Sequence, residues 1–541
     1  MPHDQAIMAI EDHAMAATLD PLADPPPSSW SESFIDTKAR PSDIDDIEKA
    51  LMSFSITPHQ YAEANYMPIY DISPSSSGRL PYHHYHPSHP SQTRVNGIKV
   101  QFNLAKSFCD RDDRFATDMH DWRNRYDMQE YKSKCINVLP SYSVGVWSAG
   151  GCVSAIGSIR AGFTPLWSTE IDQDKREMWE DLTGTECLGD TFKVDWSQQR
   201  VPDLLDSGQN CEAYSGSGPR SQGLPAGRYH KTGWMFVKQV DHILTLQPTS
   251  IKLEMSEGAN DTNDGEEIQM VMDGLSSMYY CHLCRRLPTW KYGDGSNRKR
   301  MFIIGFHKVK CGEQAKYFTY PSPTCMEGYY PIAADYAVPD EMVPQDYWVY
   351  EPVGEVRMKP WRDPRVGELH KIAYVASERE MGPPQRPYAI YSWLSLFNTQ
   401  VTTNGGGRRP PLSCTYNPDK PITWTRMVVP LETVRTAGLP DSYIQWFQSL
   451  RGSRTDNDLR SSVNSGIPLR TSVMLDTAIH AMLIKCGVPF SIKEGHMPSH
   501  HAHIAQSKID AIDSFISTAL PTWVDPSYRI RKVTLDTGAT N

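Results

Sequence analysis

Two hydrophobic patterns divide the chain near Cys135. Beyond it, short apolar runs alternate with stretches of helical period. INVLPSYSVGVWS reads as a buried strand, VSAIGSIRAGF as a helix, TPLWSTEID as a second strand ending in acid, and KREMWEDLTG as the next helix. LGDTFKVDW is expected to hold a third strand region, closed by Gly189 and Asp190. DLLDSG, HKTGWMFVKQVDHILTL, SIKLEMS, EEIQMVMDGLSSMYY and RKRMFIIGF continue as strand and helix in turn. This alternation predicts a doubly wound, Rossmann-like α/β sheet, which takes ligands at the carboxyl ends of its strands.

Before Cys135 the pattern breaks down. Up to about Pro90 the sequence is acidic and then rich in Pro and Ser (PPPSSW, SPSSSGRLPYHHYHPSHPSQ), the composition of a disordered extension. His83, His84, His86 and His89 could bind a metal, although histidines in a Pro-broken segment more often bind nothing specific. Between Val95 and Glu130 the aromatic content rises (KVQFNLAKSF, DMHDWRNRYDMQEY), which suggests an ordered lead-in. The expected divisions are an extension over residues 1–94, a lead-in over 95–135, and a remainder starting at 136.

Composition adds limits. A chain of 541 residues exceeds what one core usually serves, so two or three units are expected. The apolar runs, such as MFIIGF at 301–306, fall far short of the roughly 20 residues that span a bilayer. The N-terminal stretch lacks the basic start and apolar stretch of a secretory signal, so an intracellular protein is expected. Eleven scattered cysteines fit reduced thiols better than a disulfide framework. Cys281 and Cys284 have zinc-ligand spacing but no second pair to complete a site, so no metal is assigned. The net charge of −10 would repel phosphates if it were spread evenly. Residues 1–50 alone carry −8, leaving −2 on the other 491. A near-neutral domain can still hold a basic cleft.

The candidate chemistry sits at predicted strand ends. SVGVWSAGGCVSAIGSIRAGF places small residues between a strand and a helix, where a ligand can approach the backbone, or where packing is simply tight. The next strand ends at Glu170, about 20 residues on, where a carboxylate can accept bonds from ribose hydroxyls. In PDLLDSGQNCEAYSGSG a strand leads into a polar, small-residue loop carrying Cys211, a setting that favours an activatable thiol over a structural one.

These segments together resemble the cytosine carbon-5 methyltransferases. The family's Pro-Cys-Gln loop, with its later Ser and Gly, is matched in part by Asn210, Cys211, Glu212, Ser215 and Gly218. Glu254 in TSIKLEMSEGA stands where the family has Glu-Asn-Val, with Met255 and Ser256 following. YGDGSNRKRMFIIG resembles the Gln-x-Arg-x-Arg strand, with Ser296, Arg298 and Arg300. TRMVVPLETVRTAGLPDSYIQWF resembles a late motif through Arg426, Glu432, Arg435, Gly438 and Pro440, and Ile467 with Pro468 resemble the closing turn into a last helix.

The resemblance implies methyl transfer from S-adenosyl-L-methionine to carbon 5 of a cytosine flipped out of DNA. Cys211 would be the nucleophile, Glu254 the acid at the ring nitrogen, and Arg298 and Arg300 the groups fixing the base. Trp147, Ser148, Ala149, Gly150 and Gly151 in the first turn, Glu170 and Ile171 after the second strand, and Asp190 with Thr191 after the third would hold the cofactor. It also implies a catalytic domain over 136–310, an irregular target-recognition region over 311–421 that includes the glycine run 405–407, a return to the catalytic domain over 422–490, and a tail over 491–541. RNA as substrate, and a relative that binds but does not turn over, stay open as alternatives. A DNA substrate in a eukaryotic setting would place the protein in the nucleus.

Overall fold

The computed structural model describes residues 92–95, 98–101, 114–136, 140–209, 211–215, 225–325, 329–339, 342–344, 347–349, 355–358, 366–376, 388–392, 395–397, 425–426, 428–450 and 455–493. The acidic and His-rich extension before Gln92, Asn210, Gly218, the run 405–407 and nearly all of the tail lie outside the described residues.

A hairpin of β1 (Gln92–Val95) and β2 (Ile98–Gln101) straddles the expected boundary at 94. The main sheet has six strands: β3 (Tyr142–Trp147), β4 (Phe163–Thr169), β5 (Leu204–Gly208), β6 (Ser250–Ser256), β7 (Tyr279–Pro288) and β8 (Lys299–His307), in the order β4-β3-β5-β6-β8-β7. β3 to β6 run parallel, each pair joined by a crossover, while β8 runs antiparallel to both β6 and β7. The sheet is therefore mixed, with the doubly wound order at its parallel end. One expected strand is missing. An isolated bridge, Ser168 to Cys187, extends the sheet just before LGDTFKVDW, and two 3-10 turns, Thr191–Lys193 and Trp196–Gln198, stand in place of the strand. Asp190 and Asp195 accept bonds from the backbone N–H groups of Phe192 and Ser197, an alternative to strand pairing that these residues favour.

Side chains alternate between two apolar layers, as a sheet buried on both faces requires. Met301 and Ile303 face α5 (Met235–Leu246) and α6 (Glu266–Ser276), whereas Phe302, Ile304 and Phe306 join the opposite layer. That opposite layer holds α3 (Val153–Arg160), α4 (Gln173–Thr183) and the C-terminal helices α7 (Pro430–Thr436), α8 (Ser442–Ser449), α9 (Asp456–Ser465) and α10 (Leu469–Lys485). The two cysteines with zinc-like spacing fall in different layers, Cys281 against one and Cys284 within the other, so they cannot share a metal. Among the described residues, no group of three or more His, Cys, Asp or Glu side chains is arranged to hold a metal ion. No helix among them is long and apolar enough to cross a membrane.

The aromatic lead-in folds as α1 (Arg114–Asn124) and α2 (Met128–Ile136), and it shares the α3 layer rather than standing apart. Phe115, Met119, Trp122, Met128 and Tyr131 are buried there. The buried guanidinium of Arg160 lies 3.8 Å from the Trp122 ring centroid and donates to the Trp122 carbonyl at 2.7 Å. Arg470 approaches the same ring at 5.3 Å. Lys132 pairs with Asp181 of α4 at 2.5 Å. A single aromatic side chain thus joins three separate chain segments.

Residues 329–397 carry a small antiparallel sheet, Glu355–Met358, Lys371–Ala376 and Tyr388–Tyr391, and an apolar cluster that includes Ile332, Tyr336, Tyr391 and Phe397. The late-motif residues grip this region. Glu432 accepts from the backbone N–H of Val338 at 2.9 Å, and Arg435 donates to the Ala337 carbonyl at 3.1 Å while its other nitrogens hold Asp441.

Replacing Trp122 with Ala removes the ring shared by Arg160 and Arg470. It is expected to lower the unfolding free energy by about 3–5 kcal/mol, the usual cost of deleting a buried Trp side chain. Urea titration measures this, and a loss below about 1 kcal/mol would mean that the lead-in helices contribute little to the fold.

Candidate active site

Four strands deliver their carboxyl ends to one edge of the sheet, and the start of β8 arrives there from the opposite direction. β5 ends at Gly208, in register with Glu254 of β6, and Glu254 is opposite Phe302 of β8. Ser256 is opposite Arg300. Side-chain alternation then puts Glu254 and Arg300 on the same face, where they form an ion pair with Glu254 only 2 % exposed. Gly208 lies beside them, and a Cβ there would be in ordinary contact, 3.6 Å, with a Glu254 oxygen.

Cys211 opens a 3-10 turn, Glu212–Tyr214, just past β5. Its Sγ–H donates to the Gln209 carbonyl at 3.4 Å. Burial and then the Glu254 carboxylate push the thiol up to about 11, while Arg300, Arg298 and the Ser256 backbone N–H act in the other direction. The resting thiol is therefore protonated at neutral pH. Arg298 is buried, donates to the Asn464 carbonyl at 2.8 Å, and keeps Nε without an acceptor. Burial and then the like charge of Arg300 bring it down to about 9. All four residues expected to do chemistry therefore lie in one electrostatic neighbourhood.

The expected cofactor residues divide. Trp147 is 0 % exposed, its ring packed 5.0 Å from Trp196, so its side chain is closed to a ligand. Ser148, Gly150 and Cys152 all take positive φ, at 60°, 53° and 61°, which makes the turn unusually tight. The sequence offered two explanations for its glycines, and the packing explains both. A Cβ on Gly151 would sit 2.3 Å from the Ser462 carbonyl oxygen, and one on Gly150 would sit 2.7 Å from Ser465 Oγ. Helix α9 is what approaches this backbone. The turn N–H groups are also taken: Ser148 and Ala149 donate to Thr169, Gly150 to Glu170 Oε2 at 3.0 Å, and Gly151 to Ser465 Oγ at 3.3 Å.

Glu170 is the organiser of this end. Besides Gly150, its Oε1 accepts from the backbone N–H of Ile171 at 2.9 Å and of Asp172 at 3.1 Å. Ile171 is 73 % exposed, apolar surface standing free beside the acid. Asp190 is half-exposed and caps the turn that follows, with Lys193 at 3.7 Å. Thr191 is buried and bonds Thr169 at 2.6 Å. The sequence did not single out Phe192 and Trp234, whose rings meet at 4.9 Å next to Asp190, nor Asn464 and Ser465, which reach the site from α9. Asn464 and Arg298 are 166 positions apart, so no local pattern could have paired them.

A family model described as C-5 cytosine-specific DNA methylase matches residues 148–454. Type II methyltransferase M.NgoBI of Neisseria gonorrhoeae is 29% identical over 158 residues, 28% of this chain and 48% of that protein. Type II methyltransferase M.HaeII of Haemophilus aegyptius is 24% identical over 210 residues, 38% of this chain and 62% of that protein. The chain spans about half the length of the curated relatives it matches. Among solved structures, the S. pombe Dnmt2 methyltransferase aligns with 64% of this chain and 99% of its own at 14% identity and a TM-score of 0.41.

The charges around Cys211 predict how its reactivity responds to substitution. Glu254→Gln removes the carboxylate that holds the thiol pKa up, so the pKa falls and the thiolate fraction at pH 8 rises. One pKa unit is about a tenfold change in thiolate, so iodoacetamide should modify Cys211 at least about threefold faster. Mass spectrometry of the Cys211 peptide measures the rate, and an unchanged or slower rate would mean that the two groups do not interact.

Proposed function

The chain belongs to the C-5 cytosine-specific DNA methylase family, and on that premise we propose that it transfers a methyl group from S-adenosyl-L-methionine to carbon 5 of a cytosine flipped out of DNA, through a covalent bond to Cys211. The observation that carries this reading is the convergence of one thiol, one buried carboxylate and two arginines, with Glu254, Arg300 and Arg298 all acting on Cys211.

The chemistry calls for these groups. Carbon 5 of cytosine becomes nucleophilic only after another nucleophile has added at carbon 6, and the Cys211 sulfur makes that bond. Ring nitrogen 3 of neutral cytosine carries no proton, so Glu254 takes up the proton that Cys211 releases and hands it to that nitrogen as the sulfur adds. Taking it up neutralises the carboxylate that raises the thiol pKa, so protonation at Glu254 and deprotonation of Cys211 favour each other. Arg298, with its unmatched Nε, and Arg300, already paired to Glu254, hold the negative charge that builds on the base carbonyl. After methylation, loss of the carbon-5 proton breaks the sulfur–carbon bond and frees Cys211. Reaching a stacked base requires the nucleotide to leave the duplex.

The residues after β4 fit the adenosine end of the cofactor. A carboxylate has about four lone-pair sites, and Glu170 uses three on backbone N–H groups, which leaves one for a ribose hydroxyl. Ile171 offers an apolar surface for a purine ring, and Asp190 a half-exposed acceptor beside it. Bound S-adenosyl-L-methionine supplies an electrophilic methyl group on a sulfonium. The backbone N–H groups of the Gly150 and Gly151 turn, being already bonded, shape the pocket rather than hold the ligand. Residues 311–421 serve as the target-recognition region, anchored through Glu432 and Arg435 to α7.

Incubation with methyl-labelled S-adenosyl-L-methionine and either duplex DNA or small RNA tests the assignment. Label is expected in DNA cytosine, and Cys211→Ala should reduce it by at least about 10³-fold, as loss of a nucleophile does. Label in RNA alone would overturn the DNA substrate, and no label in either would favour a relative that binds without turnover.

A further inference from the structure

A directed chain of hydrogen bonds, buried in all but its last link, runs from helix α5 to the Cys211 loop. Gln239 is fully buried, and its Nε2 donates to the Phe236 carbonyl at 2.9 Å. A carbonyl can only accept, so this contact fixes which way the Gln239 amide faces. Its Oε1 must then accept, and it does so from Ser207 Oγ–H at 2.9 Å. With its proton committed, Ser207 Oγ accepts from Gln209 Nε2 at 3.2 Å. The main-chain carbonyl of Gln209 in turn accepts from Cys211 Sγ–H at 3.4 Å.

Gln209 is only 4 % exposed, and its Oε1 is buried with no donor. An unmatched buried acceptor is unfavourable, and an apolar residue of similar size would avoid it. The position therefore keeps its amide for the Nε2 end, the end that reaches Ser207. The next residue, Asn210, stands where the family pattern has proline, so the fixed φ that a proline would give the segment is absent from this sequence.

We propose that Gln209 is a positioning residue: its tether through Ser207 to Gln239 holds the backbone that sets the resting place of the Cys211 thiol, in the role a proline would otherwise fill. The inference rests on Cys211 being the nucleophile. Its signature is a split between two rates. A thiol that donates to a carbonyl is held in its neutral form, so cutting the tether frees the thiolate for small reagents while misplacing it for the reaction.

Two variants cut the tether at different links, Gln209→Ala and the milder Ser207→Ala. In both, iodoacetamide at pH 8 should modify Cys211 several-fold faster while buried Cys152 stays protected, which separates local release from unfolding. Methyl transfer to duplex DNA should lose about 10- to 100-fold in kcat, the range expected for a misplaced reacting group, with KM for DNA little changed. Adding Asn210→Pro to Gln209→Ala should restore both rates. Cys211 alkylation within twofold of the unaltered protein in both variants would overturn the proposal, as would a change that Asn210→Pro leaves uncorrected. If the unaltered protein transfers no methyl group, the functional reading falls, and the alkylation rates still decide the role of Gln209.

Discussion

The ion pair between Glu254 and Arg300 depends on one topological constraint, the reversal of β8 within an otherwise parallel sheet. Were β8 parallel to β6, its first residues would lie at the far end of the sheet, and no arginine from it could reach the carboxylate. Because it runs antiparallel, the register that places Phe302 opposite Glu254 also places Arg300 beside it and Arg298 just beyond. Cys211 then needs only the short step past β5 to enter the same field. A buried carboxylate without a partner would be costly, and the ion pair with Arg300 supplies that partner.

A second buried charge group holds the layers that carry this edge. Lys252 lies two residues before Glu254 on β6 and contacts Asp206 at 3.0 Å and Asp476 of α10 at 2.5 Å, all three essentially without solvent exposure. Burial alone would pull the lysine down, but Asp206 and Asp476 outweigh it and hold its pKa above the ordinary value. Ser158 of α3 donates to Asp476 at 2.9 Å, and Ser154 bonds Asp206. The helix that follows the glycine turn is thus tied both to the sheet and to the last helix. Breaking one member would leave an uncompensated charge in the interior, a more serious loss than the pair is a gain.

Much of this architecture is written locally. The apolar runs of β3 to β6 and β8 act within a few residues, so their periodicity reveals them. The direction of β8 is not local, and neither is the pairing of Arg298 with Asn464. The failed third strand has a local cause that period counting overlooks, since Asp190 and Asp195 offer the backbone side-chain partners in place of a ladder. Trp147 shows the opposite limit. Its place in the turn suggested a ligand contact, but strand alternation points a large ring into the layer shared with Trp196. Gly150 and Gly151 are readable as close-approach glycines, while the partner that approaches, α9, comes from more than 300 residues away.

In the proposed reaction the Cys211 sulfur bonds the target base. Incubating the protein with S-adenosyl-L-methionine and duplex DNA containing 5-fluorocytosine blocks the final elimination, because carbon 5 then carries fluorine in place of the proton that must leave. Peptide mass spectrometry should find the methylated fluorocytosine nucleotide attached to the peptide containing Cys211. An adduct on another cysteine, or none from a protein that still methylates DNA, would contradict the account.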